Sequence, residues 1–598
     1  MSSRMKPLRD VLLLLIACTA LYVPGSGSIP LYTRGEPREA QVVRTVASGG
    51  ARLVPIRPNG KLTRKPPLYY WVGAVAWRAL PTAPERAVRL PSIVGGTIGV
   101  LATYATASLA VGASAAMPAA IVLATSFEWL RASTRARLDM TLAASMALVL
   151  LAWTGAVMGH ERWPTILAAC ALTVATLTKG PVALVLAAPV AVVTWGLHRR
   201  DVPAAPFMLS IATAIVLSGL WYAAAWSQHG SEFTQVVMRE NLGRFVDASG
   251  TKAGHEHGIA YLGILGLIGL LPWTLLLPVA VASGRATRRS PAGVLLVAWS
   301  LVTPLFFALS SGKRGVYLLP AYPAIAVLLG AGVAHAQHGA AARATRLLAA
   351  AYRPALLLLG GLLLSAAIGL DPTGLVRPLL TSHDAEVVAG VVAGIAAQRW
   401  VVVVVACALL AAGLAIERGR RRDDVRSMVM TLGGLVLIAT MLFQSTLHPM
   451  IGRQQSLAGF LATLDPLLAP DEIVYAQRPV DPEVGYYTPR TVRPWPREGH
   501  DHATSMLIWE DTLLVTDHVS GAPLQALARS ERKHGHRGAL VLVQVPPGPI
   551  SFPAMRARSE GVVDASEHRE PLVGEPEVDE GQDLRPHDTT DTETVNPM

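Results

Sequence analysis

Long apolar spans recur along the chain and are separated by short polar loops. A span of about 16 to 24 residues is long enough to cross a bilayer as a helix. With 52% hydrophobic and only 16% charged residues, the chain is too apolar for a soluble globule. The sequence therefore predicts a polytopic α-helical membrane protein with thirteen spans, near residues 11–31, 90–111, 115–130, 139–157, 164–178, 181–197, 207–226, 259–282, 292–310, 316–335, 353–370, 398–416 and 428–446.

Basic clusters in the loops predict how these spans are oriented. They fall on the side of the N-terminus, which the positive-inside rule assigns to the cytoplasm. An odd number of spans places the C-terminus on the opposite, outer face. Rare charged motifs then open on that outer face, and ionisable groups at membrane depth usually mark a binding or reaction site. These motifs are GEPRE at 35–39, ARLDM at 136–140, ENLGRF at 240–245 and SSGKRGVY at 310–317.

The net charge of +11 indicates a lipid bilayer as partner and no nucleic acid, because the Lys and Arg residues are scattered through short loops beside apolar spans. The N-terminus has the basic and apolar regions of a signal peptide. Its apolar stretch runs on past Pro24 without a clear cleavage site, which favours an uncleaved first helix. No Walker loop, Rossmann fingerprint or GxSxG motif is found, so a nucleotide-powered pump and an α/β-hydrolase have no support.

Composition divides the chain into three parts. Residues 1–446 form the membrane domain, with a first outer loop at 32–89. Residues 447–545 read as a small α/β domain, with strands in DEIVYAQ, TLLVTD and ALVLVQV and helices near 454–465 and 522–533. Residues 546–598 are acidic and lack apolar periodicity, which predicts a disordered tail.

The first outer loop is basic, against the positive-inside rule. Residues 34–67 carry eight Lys and Arg residues and only two Glu, which predicts an anionic ligand; contact with lipid headgroup phosphates is the alternative. The segment that follows, PPLYYWVGAVAWRAL, contains Tyr69 and Tyr70 and ends near Pro81. It suits a helix lying in the membrane interface better than a crossing.

Two outer-face carboxylates are candidates for chemistry. Glu36 follows the first span and Asp139 begins another, so both are predicted on one face. Either could remove a proton from an acceptor hydroxyl as a general base. The alternatives are a surface ion pair of Glu36 with Arg38 or Arg34, and a helix N-terminal role for Asp139.

Cations recur on the same face and suit a phosphate leaving group, whose developing charge they can stabilise. Each of them could alternatively anchor its helix by reaching to the membrane surface. The candidates for binding a phosphate are Arg38, Lys65, Lys179, Arg244 and Lys313.

A metal site has weaker support. His255 and His257 flank Glu256 in GHEHG, and two His with a Glu could bind a divalent ion. The i, i+2 spacing in a loop is equally typical of solvated histidines. The cysteines, Cys18 and two others, lie in apolar spans without metal-ligand spacing.

Taken in order, these pieces resemble the GT-C glycosyltransferases of glycosyltransferase family 83, which include the lipid A aminoarabinose transferase, and more distantly the protein O-mannosyltransferases. The resemblance covers roughly residues 10–335. It rests on GEPREA, KPPLYYW, RLPS, ARLDM, TKGP, WYAAAW, ENLGRF, GHEHGIAY, LLPWTLLLP and SSGKRGVYLLPAYPAI in that order.

The resemblance implies transfer of a sugar from a polyprenyl-phosphate donor, with no nucleotide sugar at the site. The acceptor would be lipid A, another glycan or a protein at the periplasmic face of the inner membrane. The N-terminus would then be cytoplasmic and the C-terminal domain periplasmic.

The resemblance also assigns residues. Glu36 falls in the family's first acidic motif, and Asp139 matches its second acidic position. Lys65 and Lys179 match its lysines, and His255, six residues before Tyr261, matches the histidine of its second large outer loop.

Two departures from the family pattern affect these assignments. The family often has two adjacent acids where this chain has Gly35-Glu36, and an acid before Lys-Pro where this chain has Arg64. The second departure puts in doubt a divalent metal held together with His255. We expect either no tightly bound metal or a rebuilt site.

The mechanism predicted from the sequence has Glu36, aided by Asp139, as the base. Attack opposite the phosphate would invert the anomeric carbon. The donor phosphate would be held by Lys65, Lys179, Arg244 and Lys313, and Tyr69, Tyr70 and Tyr261 would line the substrate pocket. Replacing Glu36 with Gln is expected to abolish transfer without loss of the folded protein.

Two other functions remain open at this stage. A transporter or lipid flippase would also have many spans, although the charges cluster at one face and no inverted repeat is visible. A degenerate family member would bind polyprenyl lipid without transferring sugar, as Gly35 and Arg64 suggest.

Overall fold

A computed structural model gives the architecture of most of the chain. It describes residues 5–33, 35–50, 52–57, 60–160, 162–240, 259–310, 312–335, 338–368, 370, 399–469, 472–476, 480–488, 490–495, 504–509, 525–533 and 539–545. The predicted acidic tail at 546–598 lies outside these residues.

Helices dominate up to residue 462. The membrane domain begins with α1 (Met5–Tyr22), α2 (Gly35–Ala47), α3 (Leu68–Ala79), α4 (Pro84–Ala110), α5 (Ala113–Ala124), α6 (Phe127–Ser133), α7 (Leu138–Val157), α8 (Arg162–Lys179), α9 (Val182–Leu197) and α10 (Ala205–Met238). It continues with α11 (Ile259–Gly269), α12 (Leu277–Thr287), α13 (Pro291–Leu309), α14 (Tyr322–His335), α15 (His338–Ala367), α16 (Arg399–Arg421) and α17 (Val425–Leu442). The short helices α18 (His448–Gln455) and α19 (Ala458–Ala462) follow, and Leu461 of α19 belongs to the buried core of the C-terminal sheet. Short 3₁₀ turns at Thr274–Leu276 and Gly315–Ala321 precede α12 and α14.

Each of the thirteen predicted spans falls on a helix or a bent pair of helices, which confirms a polytopic helical membrane protein. Within the described residues, eight helices are long and apolar enough to cross a bilayer, and two bent pairs raise the number to ten. The remaining three predicted spans are α1, α8 and α9. Helix α1 begins with charged residues, α8 has Arg162 and Lys179 at its ends, and α9 has only 16 residues.

Three predicted spans differ in detail from the helices found. The first was predicted over 11–31, but α1 ends at Tyr22 and turns follow to residue 33. The span at 115–130 is two helices, α5 and α6, bent by 65°. The span at 259–282 is bent by 107° between α11 and α12.

Close packing between α4 and its neighbours holds the frame of the site. Trp129 of α6 is fully buried, and its ring lies over Gly99 of α4. A Cβ at Gly99 would approach that ring to 2.3 Å, so only glycine fits there without repacking. Helix α4 packs in turn on α3 and α7, and α7 packs on α8.

The C-terminal region contains a mixed five-stranded sheet, in agreement with the predicted small α/β domain. Its strands lie in the order β2-β1-β3-β5-β4. Strand β1 is parallel to β2 and β3, whereas β5 is antiparallel to β3 and β4. The bounds are β1 (Val474–Ala476), β2 (Val492–Pro494), β3 (Thr504–Trp509), β4 (Gln525–Lys533) and β5 (Ala539–Val545), with α20 (Pro482–Tyr487) between β1 and β2.

One element of this domain was predicted wrongly. Residues 522–533 read as a helix, but 525–533 form β4. The segment QALARSERK has good helix formers, yet it pairs with β5, and tertiary pairing overrides local propensity. The predicted strand in TLLVTD lies outside the described residues.

The C-terminal domain docks on α2 through α20. The amide of Gln41 donates to the carbonyl of Pro482 at 2.8 Å, and Arg44 donates to the carbonyl of Tyr486 at 3.1 Å. The hydroxyl of Tyr487 accepts a hydrogen bond from the backbone N–H of Leu31 at 2.7 Å. The helix that carries GEPRE is therefore clamped between α3 and the C-terminal domain.

We expect Gln41→Leu to loosen this docking. The substitution keeps the size of a buried side chain but leaves the Pro482 carbonyl without its donor, a loss of about 1–3 kcal/mol. Hydrogen–deuterium exchange across residues 482–487 should rise. Ser48→Ala is the matched control, because Ser48 bonds only to the backbone of its own helix. Unchanged exchange in Gln41→Leu would show that this contact does not hold the domain.

Candidate active site

The GEPRE motif forms the first turn of α2 and begins with a buried ion pair. Glu36 is 1% exposed and accepts a hydrogen bond from Arg89 of α4, which is 2% exposed, at 2.9 Å. The Thr33 hydroxyl and the backbone N–H of Ala136 also donate to the Glu36 carboxylate, at 3.1 and 3.0 Å. Because Ala136 lies just before α7, this carboxylate joins α2, α4 and the start of α7.

Arg89 also binds the backbone of the turns that follow α1. Its guanidinium donates to the carbonyls of Ser26, Ile29 and Pro30 at 2.9, 2.6 and 3.0 Å. With the bonds to Glu36, its donors are satisfied inside the protein, as a buried charge requires.

The surroundings of Glu36 favour its ionised form. Burial by itself would raise the pKa of Glu36, but the charge and hydrogen bonds of Arg89, together with the Ala136 N–H, lower that pKa below its usual range. Glu36 does not line the cavity described next. The role of base predicted for it would require contact with an acceptor, and its observed contacts are those of a structural anchor.

Beside α2 lies a polar cavity of about 340 Å³. The structure brings together in its wall residues from all four charged motifs and from the basic loop. The lining residues are Gly35, Arg38, Glu39, Val42, Arg57, Thr63, Arg64, Lys65, Tyr70, Ala136, Arg137, Leu138, Asp139, Lys179, Glu240, Arg314, Val316 and Tyr317.

Asp139 and Lys179 meet in this wall. The carboxylate at the first turn of α7 contacts the Lys179 ammonium at the end of α8, and their side chains are 16% and 15% exposed. The Lys179 ammonium also lies 4.7 Å from the centre of the Tyr317 ring, a cation–π arrangement. A cation is thereby fixed in the cavity wall.

A second carboxylate, Glu240 beyond α10, lies between two cations. Lys65 lies 3.2 Å and Arg64 3.4 Å from its oxygens, and the Glu240 side chain is 4% exposed. The residues described here do not fit a divalent metal, because two cations already neutralise this carboxylate and Arg64 places a guanidinium where the resemblance called for an acid. His255, the other predicted ligand, lies outside the described residues.

Glu39, the second acid of GEPRE, faces the cavity one turn after Glu36. It accepts a hydrogen bond from the Tyr70 hydroxyl at 2.7 Å and pairs with Arg38 at 3.0 Å. The Glu39 side chain is 10% exposed and that of Arg38 is 63% exposed, so water screens this pair. Burial and the neighbouring Glu39 charge hold the pKa of Tyr70 well above its usual range, which keeps its hydroxyl a donor.

Several predicted site residues lie elsewhere. Tyr69 is fully buried and donates to the Val88 carbonyl at 2.8 Å, so it supports α3 against α4. Lys313 is 8% exposed and donates to the Ser310 carbonyl at 2.9 Å, whereas its neighbour Arg314 lines the cavity. Tyr261 lies on α11 away from the cavity lining, and Arg244 is outside the described residues.

Sequence reasoning missed the partnership of Arg89 with Glu36 and the cavity positions of Glu39 and Glu240. A signal for the first was present, since an Arg inside an apolar helix needs a buried acceptor. The helical period could have separated the acids, because Glu36 and Glu39 on one helix point about 60° apart. The pairing of Glu240 with Lys65 joins residues far apart in sequence and carries no local signal.

The sequence matches one family model and several individual relatives. A family model described as dolichyl-phosphate-mannose-protein mannosyltransferase matches residues 64–226. An undecaprenyl phosphate-alpha-4-amino-4-deoxy-L-arabinose arabinosyl transferase of Pectobacterium carotovorum is 26% identical over 343 residues, covering 56% of this chain and 60% of the relative. A protein of the same name with the number 1, from Sodalis glossinidius, is 30% identical over 322 residues, covering 52% of this chain and 56% of the relative. The chain thus spans between 56% and 60% of the length of these relatives.

Solved structures match over nearly the whole chain. A crystal structure of ArnT from Cupriavidus metallidurans bound to undecaprenyl phosphate has a TM-score of 0.69 and 19% identity, covering 91% of this chain and 98% of that one. The apo crystal structure of the same protein has a TM-score of 0.68. This likeness confirms the predicted GT-C fold.

We expect Glu36→Gln to destabilise the protein, in contrast to the prediction from sequence. The change leaves the buried Arg89 charge uncompensated, a loss of about 3–5 kcal/mol. Thermal unfolding in detergent measures it, and Arg89→Met should also lower the midpoint, because it removes the donor to Glu36 and to the carbonyls of Ser26, Ile29 and Pro30. A wild-type midpoint for Glu36→Gln would contradict the anchoring role.

The pair of Glu36 and Arg89 also makes the stability of the protein depend on pH. Because the pKa of Glu36 is lowered on folding, its contribution is complete above the ordinary value of about 4.3 and is lost as pH falls through the lower folded value. Wild-type stability should therefore fall in that acid range more steeply than the stability of Glu36→Gln. Equal slopes would contradict the lowered pKa.

Proposed function

We propose that this GT-C membrane protein, similar to aminoarabinose and protein mannosyl transferases, transfers a sugar from a polyprenyl-phosphate donor to an acceptor. The observation that carries this proposal is one cavity in which fixed cations, among them Lys65 and Lys179, lie beside carboxylates. Transfer from a phosphate needs cations for the leaving group and a carboxylate for the acceptor proton.

The donor phosphate would be held by Lys65 and Lys179 together with Arg38. Departure of the sugar adds a negative charge to the phosphate, and fixed cations stabilise that charge better than mobile water does. Asp139 and the Tyr317 ring hold Lys179 in place. Attack from the side opposite the phosphate would invert the anomeric carbon.

The polyprenyl tail would leave the cavity towards α10. A small adjoining space shares Arg64, Lys65 and Lys179 with the main cavity and is walled by Trp221, Tyr222 and Phe233. These rings lie within 6.0 Å of one another, centre to centre. An aromatic wall next to phosphate-binding cations suits the first isoprene units of a lipid phosphate.

Transfer would proceed without a divalent metal. A metal ion at a phosphate usually stabilises its negative charge. Here Arg64, Lys65 and Lys179 would stabilise that charge, because they already carry positive charge. Activity insensitive to chelators would support this arrangement.

The cavity would open at the periplasmic face of the inner membrane, with the C-terminal domain on the same side. The basic loops that the sequence assigns to the cytoplasm support this orientation. Because α20 docks on α2, the C-terminal domain must lie on the side of the cavity. The acceptor would be lipid A, another glycan or a protein.

A second candidate is a relative that binds polyprenyl phosphate without transferring sugar. It is favoured by Gly35, which offers no carboxylate to the cavity, and by the burial of Glu36. Donor binding without product would identify this case.

Mass spectrometry of lipid A and polyprenyl-phosphate sugars, from cells with and without the chain, tests the proposal. Cells without it should accumulate a polyprenyl-phosphate sugar. Loss of a sugar-sized mass from lipid A would identify the acceptor, and an unchanged lipid A would indicate a glycan or protein. No accumulation would contradict the transferase.

Cells that carry Lys179→Met should show the lipid profile of cells without the chain. Loss of one cation at the leaving phosphate is expected to lower transfer by about 100-fold or more. Lys61→Met removes an exposed cation of the basic loop that does not line the cavity, and should restore wild-type lipid profiles. Full activity in Lys179→Met would contradict the assignment of the phosphate site.

A further inference from the structure

We propose that Glu39, and not the first acid of GEPRE, accepts the proton of the acceptor hydroxyl. The inference rests on the proposed function and names the base of that same site. Glu36 is 1% exposed, bound to Arg89 and absent from the cavity wall, so it cannot touch an acceptor there. Glu39 follows it by one turn of α2 and lines the cavity.

The carboxylates of the cavity differ in their partners. In the described part of the wall they are Glu39, Asp139 and Glu240. Asp139 contacts Lys179, which is only 15% exposed, and Glu240 lies between Lys65 and Arg64. Each of these two carboxylates is therefore held in a shielded ion pair with a cation of the cavity wall.

Glu39 has a different environment. Its cationic partner Arg38 is 63% exposed, so the attraction between them is screened by water. An ionised carboxylate has about four lone-pair sites. Arg38 donates to Oε1 through two nitrogens and Tyr70 donates to Oε2. The side chain is therefore held in position and keeps capacity for one more donor.

Tyr70 acts as the positioning residue. Its hydroxyl, 2.7 Å from Glu39 Oε2, belongs to a side chain that is 2% exposed on α3, and α3 packs on α2. Burial of the Tyr70 ring and its hydrogen bond hold the carboxylate relative to the cavity wall. General bases need such fixed placement within hydrogen-bond reach of the proton they remove.

The acceptor O–H proton passes to Glu39 while the acceptor oxygen bonds to the anomeric carbon. The bond from that carbon to the phosphate oxygen breaks, and its electron pair leaves with the polyprenyl phosphate, beside Lys65 and Lys179. Glu39 later returns the proton to water, and the cavity is ready for another donor.

The test compares Glu39→Gln with Glu39→Asp in membranes, using the polyprenyl-phosphate sugar recovered from cells lacking the chain. Gln keeps the size of the side chain and can still accept the Tyr70 hydrogen bond, so a purely structural role would leave turnover near normal. As the base, Glu39→Gln should lower kcat by about 10²–10⁴-fold with unchanged KM for the donor. Glu39→Asp should recover part of the loss.

Control measurements and control variants accompany this test. Binding of undecaprenyl phosphate and the unfolding midpoint should be unchanged in Glu39→Gln. Glu232→Gln, an exposed acid of α10, should behave as wild type. Tyr70→Phe should lower kcat less than Glu39→Gln, and the double variant should match Glu39→Gln, because Tyr70 acts only through Glu39.

The outcomes separate the two proposals. Normal kcat in Glu39→Gln, with an active wild type, would overturn the role of Glu39 and leave the transferase intact. A wild-type protein that binds undecaprenyl phosphate but transfers no sugar would overturn the transferase, and the inference with it.

Discussion

One buried guanidinium organises the end of this protein that holds the cavity. Arg89 of α4, itself 2% exposed, binds Glu36 and the carbonyls of Ser26, Ile29 and Pro30. These bonds join α4 to the turns after α1 and to α2, and the shared Glu36 carboxylate extends the network to the backbone before α7. The wall of the cavity is built on these pieces, so its geometry depends on this ion pair although neither member lines the cavity.

The wall of the cavity contains ion pairs between cations and carboxylates, and most of these pairs join segments that are distant in sequence. Lys179 with Asp139 and Lys65 with Glu240 place ammonium groups at fixed points, while Glu39 pairs with an exposed Arg38. Buried pairs of this kind add little net stability but fix positions. Fixed cations suit a phosphate that gains charge as its sugar departs. The aromatic wall on α10 adjoins the same cavity.

Much of the fold could be predicted from the sequence, because apolar periodicity and loop charge depend on local composition. Each of the thirteen spans coincides with helical structure, and Asp139 lies in the first turn of α7, where the sequence placed the start of a span. The site could be predicted from the sequence only in part. Charged motifs marked the right surface, yet which acid faces the cavity depends on tertiary contacts such as Glu36 with Arg89. The same reason explains β4, whose helix-forming residues are held as a strand by β5.

We propose that the cavity beside α2 holds the phosphate of a polyprenyl lipid. A structure of the chain with undecaprenyl phosphate, at a resolution that locates phosphorus, tests it most directly. We expect the phosphorus within contact of Lys65 and Lys179, with the first isoprene units against Trp221 and Phe233. A phosphate bound elsewhere, with this cavity filled only by water, would contradict the assignment of the site.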